Sequence, residues 1–238
     1  MPSVQKLSCV VEQVRGHGDR VYTVTLRPER PAPRFQPGQF LHLALDPYDP
    51  SGFWPESRVF SIASSPAERR SVRITYAVHG RFTERMESEL TEGRSAWIKM
   101  PYGDFVVDGR ADAVLFAGGT GVTAFTAFLE ALPSDCPHQV MLAYGARTSD
   151  LLIYRDLVER CVARVPSAEV CYFVEGATGA ASGACPGRVS VDVVWPRLKR
   201  PQDTQYYIAG PPAMLRAIGD DLHRRNISSE AIHIDAWE

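Results

Sequence analysis

The chain has 238 residues, of which 45% are hydrophobic and 23% charged, with a formal net charge of −2. This length allows one or two domains with a packed core, and the interspersed charges predict neither a nucleic-acid surface nor a polybasic membrane anchor. No window approaches the roughly 18 apolar residues of a membrane span, and no apolar run follows the N-terminus, so we expect a cytoplasmic protein without a membrane partner.

The cysteines are scattered and form no C-x-x-C pair. They are Cys9, Cys136, Cys161, Cys171 and Cys185. An odd number of isolated cysteines favours buried thiols in a reducing compartment over a disulfide framework. The spacing of a plant-type iron–sulfur ferredoxin is missing, so no metal site is predicted and any cluster must belong to another protein.

The first part of the chain, to residue 108, shows short period-two runs separated by turn residues. Such runs predict strands, which we expect at residues 7–11, 21–26, 39–43, 72–76 and 95–99. Many short strands at this spacing favour a small antiparallel barrel. One helix is predicted from Thr83 to Leu90 with Thr83 as its N-cap, and residues 46–56 are predicted to form a long loop.

From residue 109 the pattern changes to strands that alternate with helices, which is typical of a doubly wound parallel sheet. The strands are predicted at residues 113–117, 139–144, 169–174, 205–209 and 231–235, and the helices at 122–132, 151–162 and 213–225. The link at 175–203 is rich in Gly and Ala and carries one short apolar run, 189–194. The sequence therefore predicts two domains, 1–108 and 109–238.

Two glycine turns in the second domain each follow a strand and open a helix. They are Gly118-Gly119-Thr120-Gly121 and Ala209-Gly210-Pro211-Pro212. N–H groups at a helix N-terminus have no intrahelical acceptor, and the aligned peptide dipoles place roughly half a positive charge there, so a phosphate can dock. If the strand order is 3-2-1-4-5, the two turns face one dinucleotide crevice at the carboxyl ends of neighbouring strands.

In the barrel domain, the run Arg58-Val59-Phe60-Ser61 places a guanidinium, a flat ring and a hydroxyl close together. Arg58 and Phe60 share one face of an extended strand, and Ser61 points to the other. These groups suit a ligand with a phosphate, an aromatic system and a hydrogen-bonding edge, although a surface arginine beside a core phenylalanine also accounts for them. The segment from His79 to Thr83 then offers N–H groups and a hydroxyl for a phosphate, or only a turn.

Across nearly its whole length the chain resembles the ferredoxin–NADP reductase superfamily, which includes reductase components of oxygenases and NAD(P)H:flavin reductases. The motifs stand in the family's order: R-x-[YF]-S at Arg58, G-x-x-[ST] at Gly80, P-x-G-x-F at Pro101, G-G-T-G at Gly118, Tyr144-Gly145-Ala146-Arg147, [CA]-G-P-P-x-M at Ala209 and a terminal aromatic, Trp237. The resemblance implies a ferredoxin reductase-like fold, with an antiparallel β-barrel flavin-binding domain followed by an α/β doubly wound NAD(P)-binding domain.

The resemblance also implies roles for individual residues. Arg58 would hold a flavin phosphate, Phe60 would pack on the isoalloxazine ring, and Ser61 would bond near its N5. The flavin-binding set would be Arg58, Val59, Phe60, Ser61, Tyr76, Val78, Gly80, Arg81, Phe82 and Thr83, with the phosphates bound mostly by backbone N–H groups. The nicotinamide-binding set would be Gly119, Thr120, Gly121, Gly145, Arg147, Asp150, Gly210, Pro211 and Met214. Ser61, Thr120 and Trp237 would serve catalysis, with Trp237 beside the flavin ring.

Three positions bear on the branch of the superfamily that the chain resembles and on its choice between NADH and NADPH. Phe60 replaces the commoner tyrosine, so a hydroxyl contact worth on the order of 1 kcal/mol is missing, and phenylalanine here also occurs in free-flavin reductases. Asp150 resembles the acidic residue that binds an unphosphorylated ribose and so favours NADH over NADPH, whereas Arg147 argues weakly the other way. The alternative for Asp150 is a helix N-cap without a ligand.

Three functions stay open at this point. The first is a flavoprotein reductase with bound FAD, or FMN, that takes hydride from NADH or NADPH and passes electrons to a separate ferredoxin or oxygenase component. The second is an NAD(P)H:flavin reductase that releases reduced flavin. The third is an electron-relay subunit of a larger complex.

Overall fold

The computed structural model describes residues 3–176 and 183–236. The chain divides into two compact units, Met1–Val106 and Val107–Glu238. None of the helices within the two described ranges is long and apolar enough to cross a membrane. All five cysteines lie in these ranges as free thiols, and four of them are buried.

The first unit is built on one antiparallel sheet. Its strands are β1 (Gln5–Gly16), β2 (Val21–Pro28), β3 (Phe40–Ala44), β4 (Ser57–Ser61), β5 (Val72–Ala77) and β6 (Ser95–Tyr102). The order β4-β3-β6-β1-β2-β5 curls into a nearly closed barrel, which confirms the predicted fold. At the seam the backbone N–H of Ala63, just after β4, donates to the carbonyl of Arg73 in β5 at 2.8 Å.

Alternate side chains of the strands fill the barrel. In β1, Leu7, Cys9 and Val11 are at most 2% exposed, because successive side chains of a strand point to opposite faces. Burial of Cys9 raises the pKa of its thiol well above the usual range, so the side chain acts as a small apolar core residue.

Helix α1 (Arg81–Glu89) follows β5 and packs its apolar face on the barrel through Phe82 and Met86. The prediction that Thr83 is its N-cap is wrong: the helix begins at Arg81, and Gly80 is the N-cap. Thr83 stands at the third helical position, where its hydroxyl accepts the N–H of Gly80 at 3.1 Å. A side chain at this position can reach back to the cap in the manner of a capping box, so the threonine stabilises the helix start from inside.

The second unit is a parallel sheet flanked by helices. Its strands are β7 (Ala113–Gly118), β8 (Val140–Ala146), β9 (Ala168–Val174), β10 (Cys185–Pro186), β11 (Gln205–Ala209) and β12 (Ile232–Asp235), and its helices are α2 (Thr123–Ala131), α3 (Arg155–Arg164), α4 (Val191–Val194) and α5 (Pro212–Arg224). The order β10-β9-β8-β7-β11-β12 contains the predicted 3-2-1-4-5 arrangement, with the two-residue β10 added beside β9. Every residue of β7 is buried, as expected of a central strand covered on both faces.

Two helices of this unit begin later than predicted because a 3₁₀ turn precedes each. The turn Gly119–Val122 stands before α2, and the turn Ser149–Leu151 stands before α3, whose N-cap is Tyr154. The alternative that Asp150 is the N-cap of α3 is therefore wrong. In the link 175–203, the apolar run 189–194 contains α4, which begins after its N-cap Ser190 and buries Val191 and Val194.

Candidate functional site

In the first unit, two sequence motifs meet on one surface. β4 pairs with β3 so that Arg58 stands opposite Leu43 and Phe60 opposite Leu41. The guanidinium carbon of Arg58 lies over the ring of Phe82, 5.1 Å from its centroid. Phe82 belongs to the first turn of α1, so the predicted flavin motif and the predicted phosphate turn are in contact.

Two arginines in this place share one carboxylate. Arg58 Nη2 lies 3.2 Å from Glu56 Oε1, and Arg81 Nη2 lies 3.5 Å from Glu56 Oε2. The side chain of Arg58 is 53% exposed and that of Arg81 is 84% exposed. The cluster therefore carries a net positive charge next to the positive end of a helix, which is an arrangement that attracts anions.

The backbone N–H groups of the phosphate turn are only partly available. Those of His79 and Gly80 donate to Thr83 Oγ1, at 2.9 and 3.1 Å, and that of Val78 donates to the carbonyl of Arg20 at 3.1 Å. Internal acceptors thus already bind the N–H groups of Val78 and Gly80, and their expected role as phosphate donors stays a prediction. The Thr83 hydroxyl is engaged as well, since it donates to the Gly80 carbonyl at 2.9 Å.

The N–H groups that the turn still offers come from the helix itself. Arg81, Phe82 and Thr83 form the first turn of α1, where an N–H group has no intrahelical acceptor. Their dipoles add to the charge of the two guanidinium groups nearby. An anion at this end of α1 would therefore be bound by helix N–H groups and by Arg58 and Arg81.

The ring of Phe60 stands on an aromatic support. Its centroid lies 6.3 Å from that of Tyr76 in an edge arrangement, and Tyr76 stacks on Tyr22 at 5.5 Å. Tyr76 is 3% exposed, and burial raises the pKa of its phenol, so it stays neutral. Phe60 and Ser61 are half-buried. The ring of Phe60 is thus partly exposed, whereas Tyr76 supports it from the interior.

Ion pairs bind α1 to two loops of the barrel. Glu87 pairs with Arg20 in the β1–β2 turn, and Arg85 Nη2 lies 2.8 Å from Asp46 Oδ1, at the start of the loop 46–56. The hydrogen bond from Arg85 lowers the pKa of Asp46, and the one from Arg20 lowers the pKa of Glu87. Both shifts favour the charged form of the carboxylate that each ion pair requires.

In the second unit, the two glycine turns pack directly against each other. A Cβ on Gly121 would lie 2.3 Å from the carbonyl oxygen of Ala209, and a Cβ on Gly118 would lie 2.6 Å from Met214 Sδ. β7 and β11 are hydrogen-bonded neighbours, with Ala117 opposite Ala209. The predicted adjacency of the two turns is confirmed, and the absence of side chains at these glycines is what permits it.

The outer side of the first turn is open. Gly119 has a φ of +54°, and no heavy atom lies within 4 Å of the place where its Cβ would stand. Thr120 and Gly121 are half-buried, and Pro211 of the facing turn is exposed. A ligand can thus reach the backbone of this turn closely, as a phosphate or a nicotinamide amide requires.

The predicted site residues at and after the end of β8 differ in burial. Gly145 is buried, and a Cβ there would lie 2.4 Å from Val189 Cγ2, so packing accounts for this glycine without a ligand. Arg147 and Asp150 are exposed in the segment after β8. Gly145 pairs with Gly118, which places the end of β8 beside the first glycine turn. Trp237 lies outside the described residues.

Sequence reasoning missed Glu56. The available signal was a carboxylate two residues before the motif arginine, at the end of the predicted long loop 46–56. Its pairing with Arg81 depends on where α1 begins, and the predicted helix start was too late to suggest it.

Comparison with known proteins bears on both units. Residues 115–220 match the family model of the oxidoreductase NAD-binding domain. The chain is 34% identical over 161 residues to the probable dihydroorotate dehydrogenase B (NAD(+)) electron transfer subunit of Methanopyrus kandleri, covering 67% of this chain and 56% of that protein. It is 26% identical over 235 residues to the ferredoxin reductase component of 3-ketosteroid-9-alpha-monooxygenase from Mycolicibacterium smegmatis, covering 96% and 64%.

Among solved structures, the flavohem-like FAD/NAD binding domain of nitric oxide dioxygenase from Vibrio cholerae O1 biovar El Tor is similar with a TM-score of 0.84 and 18% identity, covering 97% of this chain and 98% of that one. The chain spans less than two thirds of the length of either curated relative named above. The order of the motifs, the barrel followed by a parallel sheet and these similarities agree, and the chain belongs to the ferredoxin–NADP reductase-like superfamily.

Proposed function

We propose that this protein is an NAD(P)H-dependent flavoprotein reductase that binds FAD on its barrel unit and passes electrons to a separate ferredoxin or oxygenase-type acceptor. The observation that carries the proposal is the contact between Arg58 and Phe82, which joins the flavin motif to the first turn of α1. Bound FAD would supply the conversion of a two-electron hydride donor into a source of single electrons. Two relatives, one named as a ferredoxin reductase component and the other as an electron transfer subunit, support a separate acceptor.

The residues of the barrel fit a flavin nucleotide. Arg58, Arg81 and the first-turn N–H groups of α1 would bind the phosphates, because guanidinium and helix N-termini both favour dianionic oxygen groups. Phe60, with its aromatic support, would pack on the isoalloxazine ring. Ser61 would hydrogen-bond near N5. FMN in place of FAD would use the same arginines.

The residues of the second unit fit a nicotinamide dinucleotide. The open backbone at Gly119, with Thr120 and Gly121, would bind it from one side, and Gly210, Pro211 and Met214 from the other. Thr120 would position the nicotinamide for hydride transfer. The exposed carboxylate of Asp150 would accept a ribose hydroxyl and repel a 2′-phosphate, which favours NADH over NADPH. On this basis residues 1–108 would form the flavin domain and residues 109–238 the NAD(P) domain. The protein would act in the cytoplasm.

One observation favours a second candidate function. Phe60 cannot make the hydroxyl contact that a tyrosine would make, so the ring of the flavin is bound less firmly. An NAD(P)H:flavin reductase that releases reduced flavin would need such a weaker site.

An electron-relay subunit within a larger complex is the third candidate, and the Methanopyrus kandleri relative is named as an electron transfer subunit.

A spectrum separates these candidates. The protein is purified by gel filtration, and its visible absorption is recorded before and after anaerobic addition of NADH, then NADPH. We expect a yellow protein whose flavin band bleaches with NADH at a lower concentration than with NADPH. A colourless protein that reduces added flavin supports the flavin reductase. A yellow protein that does not turn over NADH alone with an artificial acceptor supports the relay subunit, and a protein that binds no flavin overturns the proposal.

A further inference from the structure

We propose that Glu56 is an internal counter-anion that competes with the flavin phosphate for Arg58 and Arg81, and thereby determines how tightly the barrel holds its flavin. The inference rests on the proposed flavin function. It concerns a residue outside the family motifs, which the sequence alone did not indicate.

The geometry places one carboxylate across two guanidinium groups. Oε1 of Glu56 lies 3.2 Å from Nη2 of Arg58, and Oε2 lies 3.5 Å from Nη2 of Arg81. Each oxygen therefore serves a different arginine. One of these arginines opens the flavin motif on β4, and the other is the first residue of α1. The carboxylate thus pairs with both side-chain cations that would bind a phosphate.

A carboxylate and a phosphate seek the same donors. The guanidinium group forms paired N–H···O bonds with either, so the two anions are alternatives at one pair of arginines. When a phosphate binds, Glu56 either leaves and loses two ion pairs, or stays and repels the phosphate. Both outcomes weaken binding of a phosphorylated flavin, and removal of the charge at Glu56 would strengthen it.

The loop that carries Glu56 allows this exchange. Its other end is held by the pair between Asp46 and Arg85, so the loop 46–56 stays bound to α1 when Glu56 lets go. The Glu56 side chain is 39% exposed, which gives it a path into water. Since exposed ion pairs are individually weak, the expected effect is modest, about three- to tenfold in affinity.

The test compares flavins that differ in phosphate. Dissociation constants of FAD, FMN and riboflavin are measured by flavin fluorescence for the full chain and for Glu56→Gln, after any co-purified flavin is removed. We expect Glu56→Gln to bind FAD and FMN about three- to tenfold more tightly, with riboflavin unchanged because it has no phosphate. The difference should shrink as salt screens the charges.

A matched control changes the same charge elsewhere. Glu92→Gln, at an exposed position in the turn between α1 and β6, should leave all three dissociation constants at the values of the parent protein. Melting temperatures of both variants, expected near that of the parent, show that each has folded.

Two outcomes would overturn the inference, and they differ from failure of the proposed function. Unchanged or weaker binding of FAD by Glu56→Gln would mean that Glu56 is a bystander or a direct ligand of the flavin. Equal tightening of riboflavin would mean that the phosphate is not involved. If no flavin binds to the parent or to either variant, the proposed function itself fails, and the inference fails with it.

Discussion

The side chain of Met214, on helix α5, lies against the backbone of Gly118, so that a Cβ on the glycine would stand 2.6 Å from the methionine sulfur. Gly121, three residues along the same turn, is closer still to its neighbour, but that neighbour is the backbone carbonyl of Ala209. The nearest obstacles of the two glycines therefore differ in kind, although a Cβ on Gly118 would also lie 2.9 Å from Pro211 Cδ. A thioether can move to another rotamer, whereas a carbonyl in a central strand cannot.

This difference predicts unequal effects of adding one methyl group. Gly121→Ala should destabilise the second unit by about 1–3 kcal/mol through overpacking and should abolish binding of NADH. Gly118→Ala should cost less, because Met214 can move aside and only the contact with Pro211 Cδ, at 2.9 Å, requires a small shift of the facing turn. Urea unfolding and NADH titration of the two variants check this. Equal loss of stability in both would contradict the role given to the Ala209 carbonyl.

Arg58 should matter for flavin binding and little for folding. Arg58→Ala removes a charged donor to the phosphate, and such hydrogen bonds are worth about 1.5–3 kcal/mol, so the dissociation constant of FAD should rise roughly tenfold or more. The melting temperature should stay close to that of the parent, because the side chain is half exposed and its ion pair is weak. Arg110→Ala, at an 86% exposed arginine of the other unit, is the control and should change neither quantity.

Asp112 should make the stability of the second unit depend on pH. It stands before β7 and accepts the backbone N–H of Gln139 at 2.9 Å and the guanidinium of Arg200 at 3.1 Å. Burial acts to raise the pKa of Asp112, but the hydrogen bonds from Gln139 and Arg200 together outweigh it and hold that pKa below its usual value of 3.8. The carboxylate therefore stabilises the fold at all pH values above 3.8, and this stabilisation disappears as the pH falls through the lowered pKa.

The corresponding variant is Asp112→Asn. At pH 7 it should lose about 1–3 kcal/mol of unfolding free energy, because it weakens charged hydrogen bonds in a buried place. The difference in unfolding free energy between parent and variant should disappear at acid pH, below the usual Asp pKa of 3.8. Asp135→Asn, which removes an exposed carboxylate, should follow the parent at every pH. A constant gap from pH 7 to pH 2 would rule out the charge as the cause.

Asp150 should decide part of the preference between nicotinamides. Asp150→Asn keeps the size of the side chain but removes the charge that repels a 2′-phosphate, so NADPH should improve relative to NADH by a few-fold. The ratio of kcat/KM for the two donors measures this. Arg147→Ala should move the ratio in the opposite direction if Arg147 attracts that phosphate. No change in either variant would place donor selection elsewhere.

The sequence predicted the elements of the second unit well because its strands are short apolar runs bounded by clear turns. The adjacency of β7 and β11 followed from one rule about doubly wound sheets and was confirmed by their pairing. The helix starts were less predictable. Residue preferences favour Thr83 and Asp150 as N-caps. In the structure, however, Gly80 is the N-cap of α1, and Asp150 lies inside a 3₁₀ turn.

The candidate site was predictable in its motifs and not in its local contacts. Arg58 and Phe60 belong to a recognisable run, and their common face follows from strand geometry. Neither the sharing of Glu56 by two arginines nor the internal acceptors of the Val78 and Gly80 N–H groups can be seen in a sequence. These contacts join residues whose proximity is created only when the loop 46–56 and α1 fold against the barrel.

The contact between Gly145 and Val189 links the tail of a central strand to the chain that precedes α4. Gly145 has no side chain because Val189 occupies the volume that a Cβ would need. Across homologous proteins, a residue larger than glycine at position 145 should appear only where position 189 carries a residue smaller than valine. These two positions should therefore vary together rather than independently.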